Sequence, residues 1–162
     1  MPFDANDKLL LDGLLPAEAS RLRLRRALAD APDLAWDSIA ARAERMLTAP
    51  LLRFNLAAVG GLDAVPASAR RQLDESSRTW AARHLGYVSE AARLLAAMRD
   101  AGIDALPLKG AALMLGESYP QPGLRAAVDL DLLLDPSDLD RAEAIAERCG
   151  RSEEHTSELQ SR

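Results

Sequence analysis

Apolar residues recur every three, four or seven positions through residues 4–102, a pattern typical of amphipathic helices. Proline and glycine interrupt the pattern and predict several separate helices in place of one continuous rod. The interruptions fall at residues 13–16, 31–32, 50 and 60–66. We therefore expect residues 1–101 to form a helical region.

The longest pattern covers residues 66–102 and predicts one long helix, or two collinear ones, that ends at Gly102. An apolar stripe on this helix is expected to face a core, and Trp80 belongs to it. His84 lies in the same helix, where a single histidine is usually a surface or capping residue. The members of the predicted stripe are Leu73, Trp80, Leu85, Val88, Ala92, Leu95 and Met98.

Beyond the long helix the pattern changes to short apolar runs. Residues 103–108 and 127–134 are predicted strands, with helical stretches between and after them. The last helix is predicted to open with Ser137 and Asp140 at the spacing of a capping box. This order of elements predicts a mixed or parallel sheet flanked by helices. The predicted fold class is therefore α+β, with a second region over residues 102–150.

Two acidic residues, Asp129 and Asp131, occupy alternate positions of the second predicted strand. Strand side chains alternate with a period of two, so both carboxylates would share one face. A parallel strand inside an α/β domain is apolar on both faces. Two anions there need compensation, which a divalent cation supplies. A solvated edge is the alternative, and these two residues alone leave both interpretations open.

Lys109 and Gly110 lie where the first predicted strand turns into a helix. Such a turn presents backbone N–H groups at the positive end of a helix, which favours bound phosphate. Gly110 lets the backbone come close to a ligand, and Lys109 adds a point charge. A Lys-Gly pair is common by chance, so its value comes from its position ahead of the strand with two acids.

Other polar or reactive side chains favour structural roles. Cys149 is one of five residues on the apolar side of the last predicted helix, so packing is favoured over reactivity. Four arginines of an early helix could contact phosphate but are more typical of a solvated helix face. These arginines are Arg21, Arg23, Arg25 and Arg26.

The composition narrows the classes of function. The 162 residues are 48% hydrophobic and 28% charged, which predicts a soluble chain of one domain or two small ones. There is no apolar run near the roughly 18 residues that a membrane span needs, no signal peptide and a single cysteine. We expect a cytoplasmic protein without a membrane partner. The net charge of −5 makes nucleic acid an unlikely main partner.

The segment RSEEHTSELQSR at residues 151–162 has one leucine and no periodicity. It resembles the translation of a widely used sequencing adapter. We interpret it as an artefactual tail and exclude it from fold reasoning. On this interpretation the natural sequence is cut at Gly150 because the sequencing read ended there.

Residues 48–150 resemble the nucleotidyltransferase family protein group within the DNA polymerase beta superfamily. The stretches GIDALPLKGAAL and LRAAVDLDLLLDPSDLDRAEAIAERCG and the loop at 119–125 carry the resemblance. It implies an N-terminal helical region followed by an incomplete nucleotidyltransferase α/β core. It also implies, by position, a turn at Lys109 and Gly110 that binds the nucleotide phosphates and a catalytic Mg²⁺-binding pair at Asp129 and Asp131. Arg125 falls on an arginine that is characteristic of this subgroup and is implied to bind the nucleotide.

The implied function is transfer of a nucleoside monophosphate from an NTP to an unknown acceptor by two-metal catalysis. The sequence departs from the superfamily pattern because Ala111 follows Gly110, where serine or glycine is usual, and because the gap to Asp129 is long. A third acid is expected beyond residue 150, so the fragment is expected to be inactive. The alternative is a noncatalytic helical binding or interaction module with a degenerate nucleotide-binding half.

Overall fold

The computed structural model describes residues 4–14, 18–30, 33–116 and 118–150. The chain divides into two compact units, one comprising residues up to 83 with 121–126, the other residues 84–120 and those from 127 on. This division falls inside a helix, whereas the predicted boundary between residues 101 and 102 follows the end of that helix and stays a prediction. The interpretation of 151–162 as a tail concerns residues outside the described ranges.

The first unit is helical, as the apolar periodicity predicts. Pro50 lies in the first turn of its helix, where the missing N–H costs nothing, and a 3₁₀ turn, Gly61–Ala64, fills the predicted break near residue 60. The predicted breaks at 13–16 and 31–32 lie partly outside the described residues. Its helices are α1 (Ala5–Gly13), α2 (Glu18–Asp30), α3 (Trp36–Arg45), α4 (Ala49–Ala58) and the first half of α5 (Ala67–Asp100).

One apolar core holds these helices together. It draws on every helix of the unit, because each presents one apolar stripe to the same interior. Asn55 is buried in this core and its Nδ2 donates to the carbonyl of Gly13 at 2.7 Å, which satisfies a carbonyl at the end of α1. The buried apolar residues are Leu9, Leu10, Leu24, Trp36, Ile39, Ala40, Ala43, Ala49, Leu52, Leu56, Val65, Ala69 and Leu73.

Helix α5 confirms the prediction of one long helix, with 34 residues. Its buried stripe differs from the predicted one between Trp80 and Met98, because Leu85 is 66% exposed while Tyr87, Ala91 and Leu94 are buried; Met98 is buried as predicted. Both sets of residues fit helical spacing, and apolar spacing alone does not decide which of two adjacent stripes meets a partner. The structure thus corrects the predicted stripe by about one residue in the second half of α5.

The second unit contains a small sheet. Strands β1 (Leu106–Pro107) and β2 (Leu132–Leu133) pair antiparallel, with Leu106 opposite Leu133. The sequence predicted longer strands in a mixed or parallel sheet, and this prediction is wrong for the described residues. Pro107 has no N–H to give to the ladder, which shortens it, and apolar runs carry no information on strand direction.

Helices α6 (Lys109–Leu115) and α7 (Leu139–Arg148) complete the second unit. The predicted capping box is wrong, since no side chain caps α7; a 3₁₀ turn, Pro136–Asp138, precedes it. Cys149 is half-buried against an apolar cluster, in keeping with a packing role. The unit's buried apolar residues form two clusters, Leu94, Met98, Ile103, Ala142 and Ile145 in one, and Tyr87, Ala91, Ala111 and Met114 in the other.

Among the helices described, none combines the length and the apolar character needed to cross a bilayer. The structure is helix-rich with a small sheet, which agrees with the α+β class in broad terms.

Candidate functional site

The turn between β1 and α6 has an unusual backbone. Leu108 is extended, and Lys109 then adopts a left-handed conformation with φ of 47°. Among the described residues, Leu47 is the other non-glycine with positive φ. Such a conformation costs an L-residue about 1–2 kcal/mol, and it persists where surrounding contacts fix the backbone. The conformational strain of this turn therefore lies at Lys109 and not at its glycine neighbour.

Gly110 is buried at the start of α6. A Cβ added at this residue would lie 3.4 Å from the Cβ of Ala127, two residues before Asp129. This is an ordinary van der Waals distance, so the start of α6 packs next to the segment that carries the acids.

Asp131 is held by two consecutive residues of this turn. Its carbonyl accepts a hydrogen bond from the Leu108 N–H at 2.9 Å, and its carboxylate Oδ2 lies 3.3 Å from Lys109 Nζ. The Asp131 side chain is 32% exposed and that of Lys109 is 75% exposed. The structure therefore brings the predicted phosphate turn and one predicted metal ligand together, although 22 residues separate Lys109 from Asp131.

Asp129 is anchored through its backbone. Its carbonyl accepts a hydrogen bond from the Tyr87 hydroxyl of α5 at 2.8 Å, while its side chain is exposed. Within the described part of the chain, no hydrogen bond or ion pair reaches the Asp129 carboxylate. Both acids precede β2 instead of lying on it, which corrects their predicted place on a strand over residues 127–134.

The acid pair suits a hard divalent cation. Mg²⁺ takes oxygen ligands, is often held by one or two carboxylates together with substrate phosphates, and keeps several waters. A cation, the Lys109 ammonium, already lies beside one of the two carboxylates. No group of three or more His, Cys, Asp or Glu side chains with metal-binding geometry occurs among the residues described, so the pair would need ligands from a substrate or water.

Arg125, the fifth predicted site residue, is exposed in the segment 121–126, which belongs to the first unit. Next to it, Gly123 has φ of 79°, and a Cβ there would lie 2.5 Å from the backbone N of Ala81. This segment is thus pressed closely onto the first half of α5. The assignment of Arg125 to the nucleotide stays a prediction.

Ala111, the departure from the superfamily pattern, is only 1% exposed and packs in the cluster with Tyr87 and Met114. A serine hydroxyl at this position would face the core. The burial of Ala111 suits an apolar residue at the start of α6, because a buried hydroxyl without a partner is unfavourable.

Tyr87 was not among the predicted site residues. It lies seven residues after Trp80 on α5, so a search at heptad spacing from Trp80 would have placed it on the buried stripe. Its hydrogen bond to Asp129 depends on the tertiary fold and leaves no local signal in the sequence.

Asp135 is an acidic residue that follows β2 and precedes the 3₁₀ turn before α7. Its carboxylate accepts hydrogen bonds from the hydroxyl of Ser137 at 2.6 Å and from the backbone N–H of Ser137 at 2.9 Å. These two contacts, the hydroxyl first, hold the pKa of the Asp135 carboxyl below its ordinary value. The Asp135 carboxylate is thus hydrogen-bonded within the turn that leads into α7.

The sequence model of a family described as uncharacterised nucleotidyltransferase matches residues 32–160. The match covers well over half of the chain, and the chain therefore belongs to this family. Membership supports a general function in nucleotidyl transfer, with a nucleoside triphosphate as the general substrate. The match runs past residue 150, so the interpretation of the tail stays a prediction. Neither the curated proteins nor the solved structures compared with the chain gave a match.

Proposed function

We propose that this chain carries the nucleotide and metal half of a Mg²⁺-dependent active site that transfers a nucleoside monophosphate from an NTP to an acceptor. The observation that supports this proposal is the joining of the Lys109 turn to Asp131 through one hydrogen bond at 2.9 Å and one ion pair at 3.3 Å. A metal-bound triphosphate needs carboxylates that hold the metal and a positive charge near the phosphates. The acid pair and Lys109 are groups of these two kinds.

Each residue has a distinct role in this proposal. Asp129 and Asp131 hold the divalent cation, Lys109 offsets negative charge on the phosphates, and Gly110 keeps the start of α6 close to the acid segment. Arg125 would contribute a second positive charge toward the nucleotide. Mg²⁺, when bound, activates the attacking oxygen and offsets charge at the α-phosphorus.

The proposed reaction is an in-line displacement. An acceptor oxygen forms a bond to the α-phosphorus, the bond between the α-phosphorus and the bridging oxygen to the β-phosphate breaks, and pyrophosphate leaves. The acceptor's proton passes to a base, for which we propose a third acid. Positioning and charge stabilisation supply most of the catalysis in such reactions, which suits a site made of carboxylates and a lysine.

Among the residues that the structure describes, no group of three potential metal ligands occurs, so we propose that a third acid from outside them completes the site. Two-metal catalysis would need protein ligands for both ions. We therefore propose that the described residues by themselves bind metal weakly and turn over nothing measurable.

The noncatalytic alternative draws its support from Ala111 in place of serine. Since Ala111 is buried, a hydroxyl there would not face a phosphate, and the substitution says little about loss of catalysis. The exposed carboxylate of Asp129 and the paired carboxylate of Asp131 favour a site that binds a cation.

The metal site is tested by calorimetric titration of Mn²⁺ into the chain and its variants. Asp129→Ala and Asp131→Ala should each weaken Mn²⁺ binding by about tenfold or more, since a ligand is lost. Asp104→Ala, which removes an exposed carboxylate of the same unit, should leave it unchanged. A protein that supplies the third acid to this site should release pyrophosphate from an NTP mixture with Mg²⁺ and lose this activity in both site variants; full activity in both would refute the assignment.

A further inference from the structure

The ion pair between Lys109 and Asp131 places a cation where the proposed function needs a metal. The ammonium Nζ is 3.3 Å from Oδ2 of Asp131, which is the distance of an ion pair. Asp129, two residues earlier, has an exposed carboxylate that no described residue pairs. The two acids of the pair are therefore unequally compensated.

The backbone keeps Lys109 in this position. The hydrogen bond from Leu108 N–H to the Asp131 carbonyl fixes the neighbouring residue against the acid segment, and Lys109 itself is held at φ of 47°. The backbone of Lys109 is thus fixed next to the segment that carries Asp131. Its side chain is 75% exposed, so it can leave Asp131 without disturbing the core.

A divalent cation and the Lys109 ammonium compete for Asp131, because both need the same carboxylate. A solvent-exposed ion pair is weak, so the lysine weakens metal binding without preventing it. A triphosphate changes this balance, since its oxygens attract the ammonium away from the carboxylate. Coupling of this kind is reciprocal, and each ligand then improves the binding of the other.

We infer that Lys109 serves two roles in turn: it is the counter-ion of Asp131 in the empty site and the phosphate contact in the loaded one. The site therefore takes up the divalent cation together with the triphosphate in preference to the cation alone. This inference rests on the proposed function and adds an order of events to it.

The test measures two affinities that should move in opposite directions in Lys109→Met. Mn²⁺ alone should bind about two- to fivefold more tightly, since its competitor is gone. Inorganic triphosphate, in the presence of Mn²⁺, should bind roughly three- to tenfold more weakly, since a charged contact is lost. Both affinities are obtained by calorimetric titration of the full chain.

The chain offers matched controls. Lys8 is the other lysine of the sequence and is exposed on α1, so Lys8→Met should change neither affinity. Lys109→Arg keeps the charge and should stay close to the wild type for Mn²⁺ alone. In an Asp131→Asn background, Lys109→Met should no longer tighten Mn²⁺ binding, because the competition requires Asp131.

The outcomes separate this inference from the proposed function. If Asp129→Ala and Asp131→Ala keep the Mn²⁺ affinity of the wild type, the metal site itself is wrong. If those variants lose Mn²⁺ but Lys109→Met fails to bind it more tightly, the metal site stands and the role of Lys109 as counter-ion is overturned. Tightening by Lys8→Met of the same size would also overturn it, since general charge would then explain the effect.

Discussion

At the scale of single residues, the unusual backbone conformation of the turn occurs at Lys109 and not at Gly110. Lys109 adopts the left-handed backbone, while a Cβ added at Gly110 would lie 3.4 Å from the Cβ of Ala127, an ordinary contact. The sequence predicted a phosphate-binding turn at this pair, but it gave no sign that Lys109 adopts the left-handed conformation. The contact that holds Lys109, its ion pair with Asp131, comes from a residue far along the chain.

Two glycines give a matched residue-scale prediction. Gly123→Ala should destabilise the fold by about 2–4 kcal/mol, because φ is 79° and the new Cβ would meet the backbone of Ala81 at 2.5 Å. Gly110→Ala should change stability by less than about 1 kcal/mol, because its nearest contact is at 3.4 Å and alanine favours a helix. Urea unfolding of both variants checks this. Equal losses would show that backbone conformation does not decide the cost.

At the scale of elements, the helices follow from the sequence and the sheet does not. Proline and glycine end helices through local sterics, so the predicted breaks near residue 50 and at residues 60–66 and the length of α5 agree with the structure. Strand pairing is a long-range property: the partner of β1 lies 25 residues further on, and Pro107 limits the ladder. The spacing of Asp129 and Asp131 predicted the acid pair. The hydrogen bonds from Leu108 and Tyr87 to the carbonyls of these two residues depend on the tertiary fold and leave no signal in the sequence.

Tyr87 connects α5 to the acid segment, and Tyr87→Phe tests that connection. The ring stays in its cluster, while the Asp129 carbonyl loses a hydrogen bond of 2.8 Å. We expect a loss of about 0.5–1.5 kcal/mol in stability and weaker Mn²⁺ binding, because the segment that carries Asp129 is less well fixed. Unfolding in urea and calorimetric titration measure the two effects. Tyr119→Phe is the matched control, since no hydrogen bond of its hydroxyl occurs among the described residues.

Should Tyr87→Phe lose stability yet keep its Mn²⁺ affinity, Tyr87 would be a packing residue without influence on the acids. Should both quantities stay at the wild-type value, the hydrogen bond to Asp129 would be of no consequence. The control matters here because a general effect of removing a phenol would appear in Tyr119→Phe as well.

At the scale of the whole molecule, the net charge of −5 is the sum of two units that differ in charge. Basic residues slightly outnumber acidic ones in the first unit, while acidic residues clearly predominate in the second. An acidic unit favours cations near Asp129 and Asp131, and it increases the value of Lys109 as a local counter-ion. The prediction that nucleic acid is not the main partner rests on the average and is weakest for the first unit.

The cores of the two units also differ, which predicts unequal local stability. The first unit has one large buried cluster, while the second has two small ones around a sheet of two-residue strands. Small two-stranded sheets are only marginally stable without further support, and opening free energies follow buried apolar contacts. Amide hydrogen exchange should therefore be slower in α3 and α4 than in α6 and α7.

Ligands should reduce this difference if the proposed site is correct. Mn²⁺ with inorganic triphosphate stabilises the state that binds it, so exchange should slow at Leu108, at the start of α6 and through residues 127–133, with little change in α3 and α4. Hydrogen exchange followed by mass spectrometry resolves these segments. The Asp131→Ala variant should show no such slowing. Protection that appears equally in both units, or that persists in Asp131→Ala, would mean that the ligands stabilise the chain through another site.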